Sequence, residues 1–217
     1  MFESNAMISF NTLNDFQQFY DDFDFYGGWR ITDSPINERG NLVRNSSYII
    51  LLRELFNRKH LFRRSVSIGE LVSFVDNYYL LYKLIDKLKK RIPEEKLKKA
   101  RLYSEYRVFM SKNRRVDFIF EYEDKLLLLE FRISNTFPNI SNIWQKKEAE
   151  LLIYKELLSN YLPDDKEIFI YAFIGMPEYQ GNKRIIKHAA YNENNLEHLA
   201  KYIDLFIFQK RGDYLIE

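Results

Sequence analysis

The longest regular pattern in the chain is a set of apolar residues at helical spacing, Ile68, Leu71, Val72, Val75, Tyr78, Tyr79, Tyr82, Ile85, Leu88 and Ile92. It predicts an amphipathic helix over 67–92. Ser67 opens that helix with Glu70 three residues on, the reciprocal capping pair, and Pro93 closes it. A short helix from Pro93 to about Ala100 follows, with Glu94 and Glu95 in its first turn and Lys98, Lys99 and Arg101 in its last, as the helix dipole favours. Further helices are expected over 46–58, near 12–21 ahead of a loop, and over 139–161 after Pro138. On a wheel of roughly 100° per residue, Ile140, Trp144, Leu151, Tyr154, Leu158 and Tyr161 make one apolar stripe of the 139–161 helix. Lys147 falls in the middle of it.

Between residues 103 and 133 the period changes from helical to alternating. Tyr103 to Met110 predicts a strand, turning through Ser111 to Arg114 into a second strand from Val116 to Tyr122. Glu123-Asp124-Lys125 then joins this to a third, Leu126 to Ile133, as an antiparallel hairpin. Side chains alternate along a strand, so Leu126, Leu128, Glu130 and Arg132 share one face and Leu127, Leu129, Phe131 and Ile133 the other. Glu130 therefore interrupts an apolar row, and Asp117 does the same between Val116 and Phe118. Burying an unpaired carboxylate costs several kcal/mol, so acids at such positions pair with a cation or a metal. Glu167 to Ile174 predicts a further strand, buried on both faces, and Lys201 to Phe208 a strand or a terminal helix.

Two carboxylates on neighbouring strands with a cation two residues past the second, D-x12-E-x-R over Asp117, Glu130 and Arg132, resemble the active-site signature of the PD-(D/E)XK nuclease superfamily. The likeness covers about residues 95–175. It implies an α/β restriction endonuclease-like core, a mixed central sheet flanked by helices, over 101–217, with a mostly helical N-terminal segment over 8–100. It also implies Mg2+ or Mn2+ held by Asp117, Glu130 and the backbone carbonyl of Phe131. In many members a third glutamate, usually on a preceding helix, completes the site; Glu105 is the candidate here, with Glu70 and Glu95 as fallbacks. Where the superfamily usually has lysine this chain has Arg132. Arginine stays protonated and serves poorly as a base. Lys147, on the helix that packs beside the acids in such cores, is the candidate for the missing ammonium; the alternative is a lysine that reaches solvent along its own stem. Gln145 and Tyr154 lack the spacing of the Q-x-x-x-Y pair that some members carry. A salt bridge of Asp117 or Glu130 with Arg132, Arg115 or Lys147 inside an ordinary α/β domain stands as the competing account of the same residues.

The 217 residues suffice for one substantial core, and 16 Tyr and 18 Phe against 7 Gly and 5 Pro mark a folded chain. Phe16, Phe19, Tyr20, Phe23, Phe25, Tyr26 and Trp29, interspersed with acids, make either a partner surface or a cap on the core. Net charge is only +2, but it is unevenly spread. Residues 1–43 are acidic, whereas 53–101 are basic and include Lys87, Lys89, Lys90 and Arg91 at one helix tip. That basic middle suits either a phosphate-binding surface or a solvated helix face. Lys89, Lys90, Arg91, Arg114 and Arg115 are the candidate nucleic-acid contacts.

With no cysteine the chain has no disulfide and no thiolate metal site, which suits a cytoplasmic setting. No apolar run reaches the roughly 20 residues of a membrane span. Ser4-Asn5-Ala6-Met7 looks like a cloning remnant before a start at Met7. His188 and His198 are isolated, without zinc-ligand spacing. The expected function is metal-dependent hydrolysis of DNA phosphodiester bonds, in repair, restriction or phage defence. The alternative is a catalytically inactive module of the same fold that binds nucleic acid or a protein partner within a larger complex; DNA is the expected partner, with a protein partner or a homodimer open besides.

Overall fold

The hairpin that carries the two acids lies inside a five-stranded sheet of order β1-β2-β3-β4-β5. The computed structural model describes residues 5–23, 50, 54, 67–108, 115–133, 140–163, 165–175 and 193–209. Its strands are β1 (Ile8–Phe10), β2 (Arg101–Arg107), β3 (Arg115–Tyr122), β4 (Lys125–Ile133) and β5 (Glu167–Gly175). Its helices are α1 (Leu13–Phe23), α2 (Ile68–Lys89), α3 (Glu94–Leu97), α4 (Ile140–Ser159) and α5 (Glu193–Ile203), the last running into a π-helical turn, Asp204–Phe208. The helix expected over 46–58 and the turn over 111–114 lie almost wholly outside the described residues.

The local reasons for these elements match the pattern of the chain. Ser67 Oγ accepts the Glu70 N–H at 3.1 Å and caps α2. Thr12 and Asp15 cap α1 reciprocally, each side chain accepting the other's backbone N–H at 3.1 and 3.0 Å. β2, β3 and β4 pair antiparallel through short connections, β1 joins β2 antiparallel with residues 11–100 between them, and β4 and β5 pair parallel with α4 between them in the chain. Two apolar clusters fill the faces of the sheet. One gathers Phe16 of α1, Leu81 of α2 and Leu199 of α5 against Leu102, Phe120, Leu127 and Phe131. The other gathers Leu151, Tyr154 and Leu158 of α4 against Tyr103, Ile119, Leu126 and Leu128. Phe16 and Tyr20 thus belong to the core.

The structure departs from expectation at two places. A strand at 8–10 joins the sheet as an edge, too short to carry an alternation signal. β5 packs on both faces, with Phe169, Tyr171 and Phe173 toward one cluster and Ile168, Ile170 and Ala172 toward the other, but as the opposite edge of the described sheet it leaves Phe169, Ile170 and Tyr171 only partly buried. Of the two forms expected for 201–208, the structure takes the helix, with Phe206 and Tyr202 packed against Phe169 and Tyr171. No helix among the described residues is long and apolar enough to cross a membrane.

Candidate active site

The site forms where the central strands stop pairing regularly. The β3–β4 ladder runs from Tyr122 opposite Lys125 to Phe118 opposite Leu129 and ends there. Beyond it the two acids bond across the gap. Asp117 N–H donates to Glu130 Oε1 at 3.2 Å, and Phe131 N–H donates to Asp117 Oδ2 at 2.8 Å. Each carboxylate is thus fixed by the backbone of the opposite strand.

On the other side of β3 the ladder with β2 omits the rung between Ser104–Phe118 and Tyr106–Val116, where Glu105 would face Asp117. Glu105 has φ of 49°, a left-handed conformation that costs a non-glycine residue about 1–2 kcal/mol. It resets the alternation of the strand: Ser104 shares a hydrogen bond with Tyr78 of α2, yet Tyr106 packs in the α4-side cluster alongside Tyr103. The kink brings the Glu105 carboxylate to the acids of β3 and β4.

A cavity of ≈ 350 Å³ is lined by Glu105, Asp117, Glu130 and Phe131, with Ser73, Phe74 and Asn77 of α2 on one side and Lys147, Glu150 and Tyr154 of α4 on the other. Glu105 and Glu130 are buried and Asp117 is partly exposed. Lys147 Nζ sits 2.9 Å from Glu130 Oε2 and 3.0 Å from Glu150 Oε2. Arg115, at the start of β3, lies 3.4 Å from Glu105 Oε2 through Nη1 and 3.2 Å from Glu70 Oε1 through Nη2, with its guanidinium 5.8 Å from the Phe74 ring centroid.

Burial lifts all three inner carboxyls. Glu105 is pushed up to about 8, the Glu130 and Glu70 charges adding to burial and Arg115 opposing it. Asp117 is pushed up to about 7 by burial and by Glu105, against the Phe131 N–H bond. Glu130 is pushed up to about 8 by burial and by Asp117, against Lys147. For Lys147, burial alone favours the neutral amine, but Glu130, Glu150 and Asp117 together outweigh it and raise the ammonium above the ordinary lysine value. Lysine in this setting is a fixed cation and hydrogen-bond donor, not a base.

Comparison with models of protein families, with curated proteins and with solved structures finds no match. The site is read from its own chemistry.

The structure brings Asp117, Glu130, Phe131, Arg132, Glu105, Lys147 and Arg115 around one cavity. Phe131 makes its contact through its amide N–H. Arg132 is exposed at the cavity edge and forms no ion pair among the described residues. Lys147, not Arg132, is the cation on Glu130. Arg115 faces acids rather than solvent. Arg114 lies outside the described residues. Lys89, Lys90 and Arg91 are at the far end of α2, about 22 Å from Phe74 at 1.5 Å per residue, and Arg91 is bonded to Glu197. Glu95 is exposed on α3. Of the apolar stripe of α4, Leu151, Tyr154 and Leu158 are buried while Trp144 and Tyr161 are 42% and 37% exposed.

Glu150, which the sequence reading does not name, and Glu70, a fallback there for the third acid, complete the site as partners of Lys147 and Arg115. The i, i+3 spacing of Lys147 and Glu150 was the available signal; for Glu70 with Arg115, 45 residues apart, there was none.

Magnesium is commonly held by one or two carboxylates with several waters retained. Among the described residues no three His, Asp or Glu side chains form a ready cage. Two carboxylates can serve: Asp117 commits Oδ2 to Phe131 N–H, and among the described residues its Oδ1 accepts no hydrogen bond. A hard oxygen donor set beside buried, mutually repelling carboxyls fits a divalent cation of this kind.

Proposed function

We propose that this chain is a metal-dependent nuclease of PD-(D/E)XK type that hydrolyses DNA phosphodiester bonds with Mg2+ or Mn2+, in repair, restriction or phage defence. The observation that carries the reading is the 2.9 Å contact of Lys147 with Glu130. It supplies from α4 the ammonium that the strand position, occupied by Arg132, lacks.

Asp117 and Glu130 would hold the ion, with the Phe131 carbonyl as a further donor. When bound, such an ion supplies Lewis-acid polarisation and a more acidic water. The chain supplies the rest. Lys147 gives two of its three N–H donors to Glu130 and Glu150, which leaves one for the attacking water or a phosphoryl oxygen. A protonated, preorganised donor of this kind stabilises charge that develops in the transition state. Glu105, lifted to about 8, is matched near neutral pH to accept the proton of the attacking water. Arg132, exposed at the cavity edge, suits the phosphate of a neighbouring nucleotide.

Nicking of supercoiled plasmid in Mg2+ by the wild type, against Asp117→Ala and Glu130→Ala, tests the reading. Activity confined to the wild type supports it, and equal activity in all three rejects it. One observation favours the second reading, an inactive nucleic-acid-binding module: Arg115 already pairs with Glu105, and among the described residues no three His, Asp or Glu side chains form a metal cage. Undiminished DNA affinity in EDTA, with no cleavage in any metal, would select that reading.

A further inference from the structure

The cavity is built with the same device on both sides. On the α4 side Lys147 is clamped between an inner acid, Glu130, at 2.9 Å and an outer one, Glu150, at 3.0 Å. On the α2 side Arg115 is clamped between an inner acid, Glu105, at 3.4 Å and an outer one, Glu70, at 3.2 Å. The inner carboxylates are 3% exposed, the outer ones 47% and 37%. Each cation is therefore divided between a carboxylate almost closed to solvent and one open to it, and each outer acid comes from a helix that walls the cavity.

We propose that Glu150 and Glu70 are positioning residues that draw Lys147 and Arg115 partly off the inner acids, so that the charge of Glu130 and of neighbouring Glu105 stays available to a divalent ion held at Asp117 and Glu130. A cation bound between two carboxylates at nearly equal distance is committed to neither. With the outer partner gone, the whole of its charge and its donors turn to the inner carboxylate, which is buried. The inner acid then becomes the tightly paired half of a salt bridge, and a divalent ion must break that pair to bind. The outer acids need no contact with the metal or the substrate to have this effect. Their exposure also makes them replaceable without disturbing the core.

This inference rests on the metal-dependent reading of the site. Its test is Mn2+ binding, followed by electron paramagnetic resonance of the free ion, in the wild type, Glu150→Gln, Lys147→Met and the double variant, with Glu70→Gln and Arg115→Met forming the second set. Glu150→Gln is expected to weaken Mn2+ binding by about five- to tenfold, a coupling of ordinary size for residues in contact, and to have little effect once Lys147 is absent. Glu70→Gln should behave likewise with respect to Arg115. A loss from Glu150→Gln that is the same with and without Lys147 would show a plain long-range charge effect and overturn the proposal, as would unchanged or tighter Mn2+ binding in both single variants. Failure of the underlying reading has its own signature: a wild type that takes up no Mn2+ at all, which removes the proposal with it. Glu150→Asp is the conservative control and should recover part of the affinity.

Discussion

The Lys147 ammonium reaches Glu130 across the boundary between two layers, from the second turn of α4 to the last part of β4, and meets its Oε2 at 2.9 Å. Arg132, on the same strand as Glu130, is exposed and pairs with no acid among the described residues. The two cations therefore have separable tasks. Lys147→Met is expected to lower kcat by about two to three orders of magnitude, the range for removing one preorganised electrostatic group, with KM little changed. Arg132→Met is expected to raise KM with kcat retained, because it removes a contact made equally in the ground and transition states. Steady-state cleavage of a labelled oligonucleotide separates the two outcomes. A kcat loss in Arg132→Met and none in Lys147→Met would reverse the assignment.

The raised carboxyls fix the direction of the pH dependence of stability. In the unfolded chain Asp and Glu ionise near their ordinary values, about 4. In the folded protein Asp117 ionises at about 7, and Glu105 and Glu130 at about 8. Between these limits the native state holds more protons than the unfolded one, so stability falls as pH rises from about 4 to about 8. The raised Lys147 contributes stability that is lost only above the ordinary lysine range, outside this window. In EDTA the melting temperature should be lower at about pH 8.5 than at about pH 5.5. Glu130→Gln should flatten that difference, and Mn2+ should restore stability at the higher pH in the wild type but not in Glu130→Gln. A melting temperature that climbs with pH in EDTA would contradict the picture.

Lys89 and Lys90 test how far a nucleic acid extends from the cavity. They are exposed at the end of α2 opposite Phe74, whereas neighbouring Lys87 and Arg91 are tied to Glu197. Lys89→Ala and Lys90→Ala are expected to leave kcat unchanged and to weaken DNA binding evenly across sequences. The slope of log K against log salt should decrease by about one per lysine that contacts a phosphate. An unchanged slope would confine the nucleic-acid surface to the cavity end of α2.

What the sequence revealed depended on the range of the signal. Asp117 and Glu130 were legible because an acid in a row of period two is visible within a few residues. Lys147 was legible because a cation in a helical stripe is visible within a few turns. Trp144 and Tyr161 fall on the same stripe but are exposed: Tyr161 lies past the end of α4 at Ser159, and Trp144 sits beside Ile170 and Tyr171 of the edge strand β5. The segment KYIDLFIF alternates well enough for a strand, and only its packing of Tyr202 and Phe206 on β5 decides for a helix. The pairing of Arg115 with Glu70 spans 45 residues and has no local trace. The left-handed backbone of Glu105 also has none, because no glycine or asparagine marks the position.

That conformation gives the last prediction. Glu105 combines a positive φ of 49° with a carboxylate that is 3% exposed, and both features cost folding energy. Glycine adopts this backbone without steric penalty and brings no charge to bury. Arg115 keeps Glu70 as a partner at 3.2 Å through Nη2, while its buried Nη1 loses the Glu105 charge, which offsets the gain from having no carboxyl to bury and leaves the backbone cost as the net difference. Glu105→Gly is therefore expected to stabilise the fold by about 1–2 kcal/mol, a rise of roughly 2–8 °C in Tm for a domain of this size, while cleavage falls sharply. Glu105→Gln keeps the backbone cost and should lose activity without the full gain in Tm. Thermal melts and nicking assays on the same two preparations distinguish them. If Glu105→Gly lowers Tm, the kink in β2 is stabilised by the side chain itself, and a cost accepted for the sake of the site is the wrong account of it.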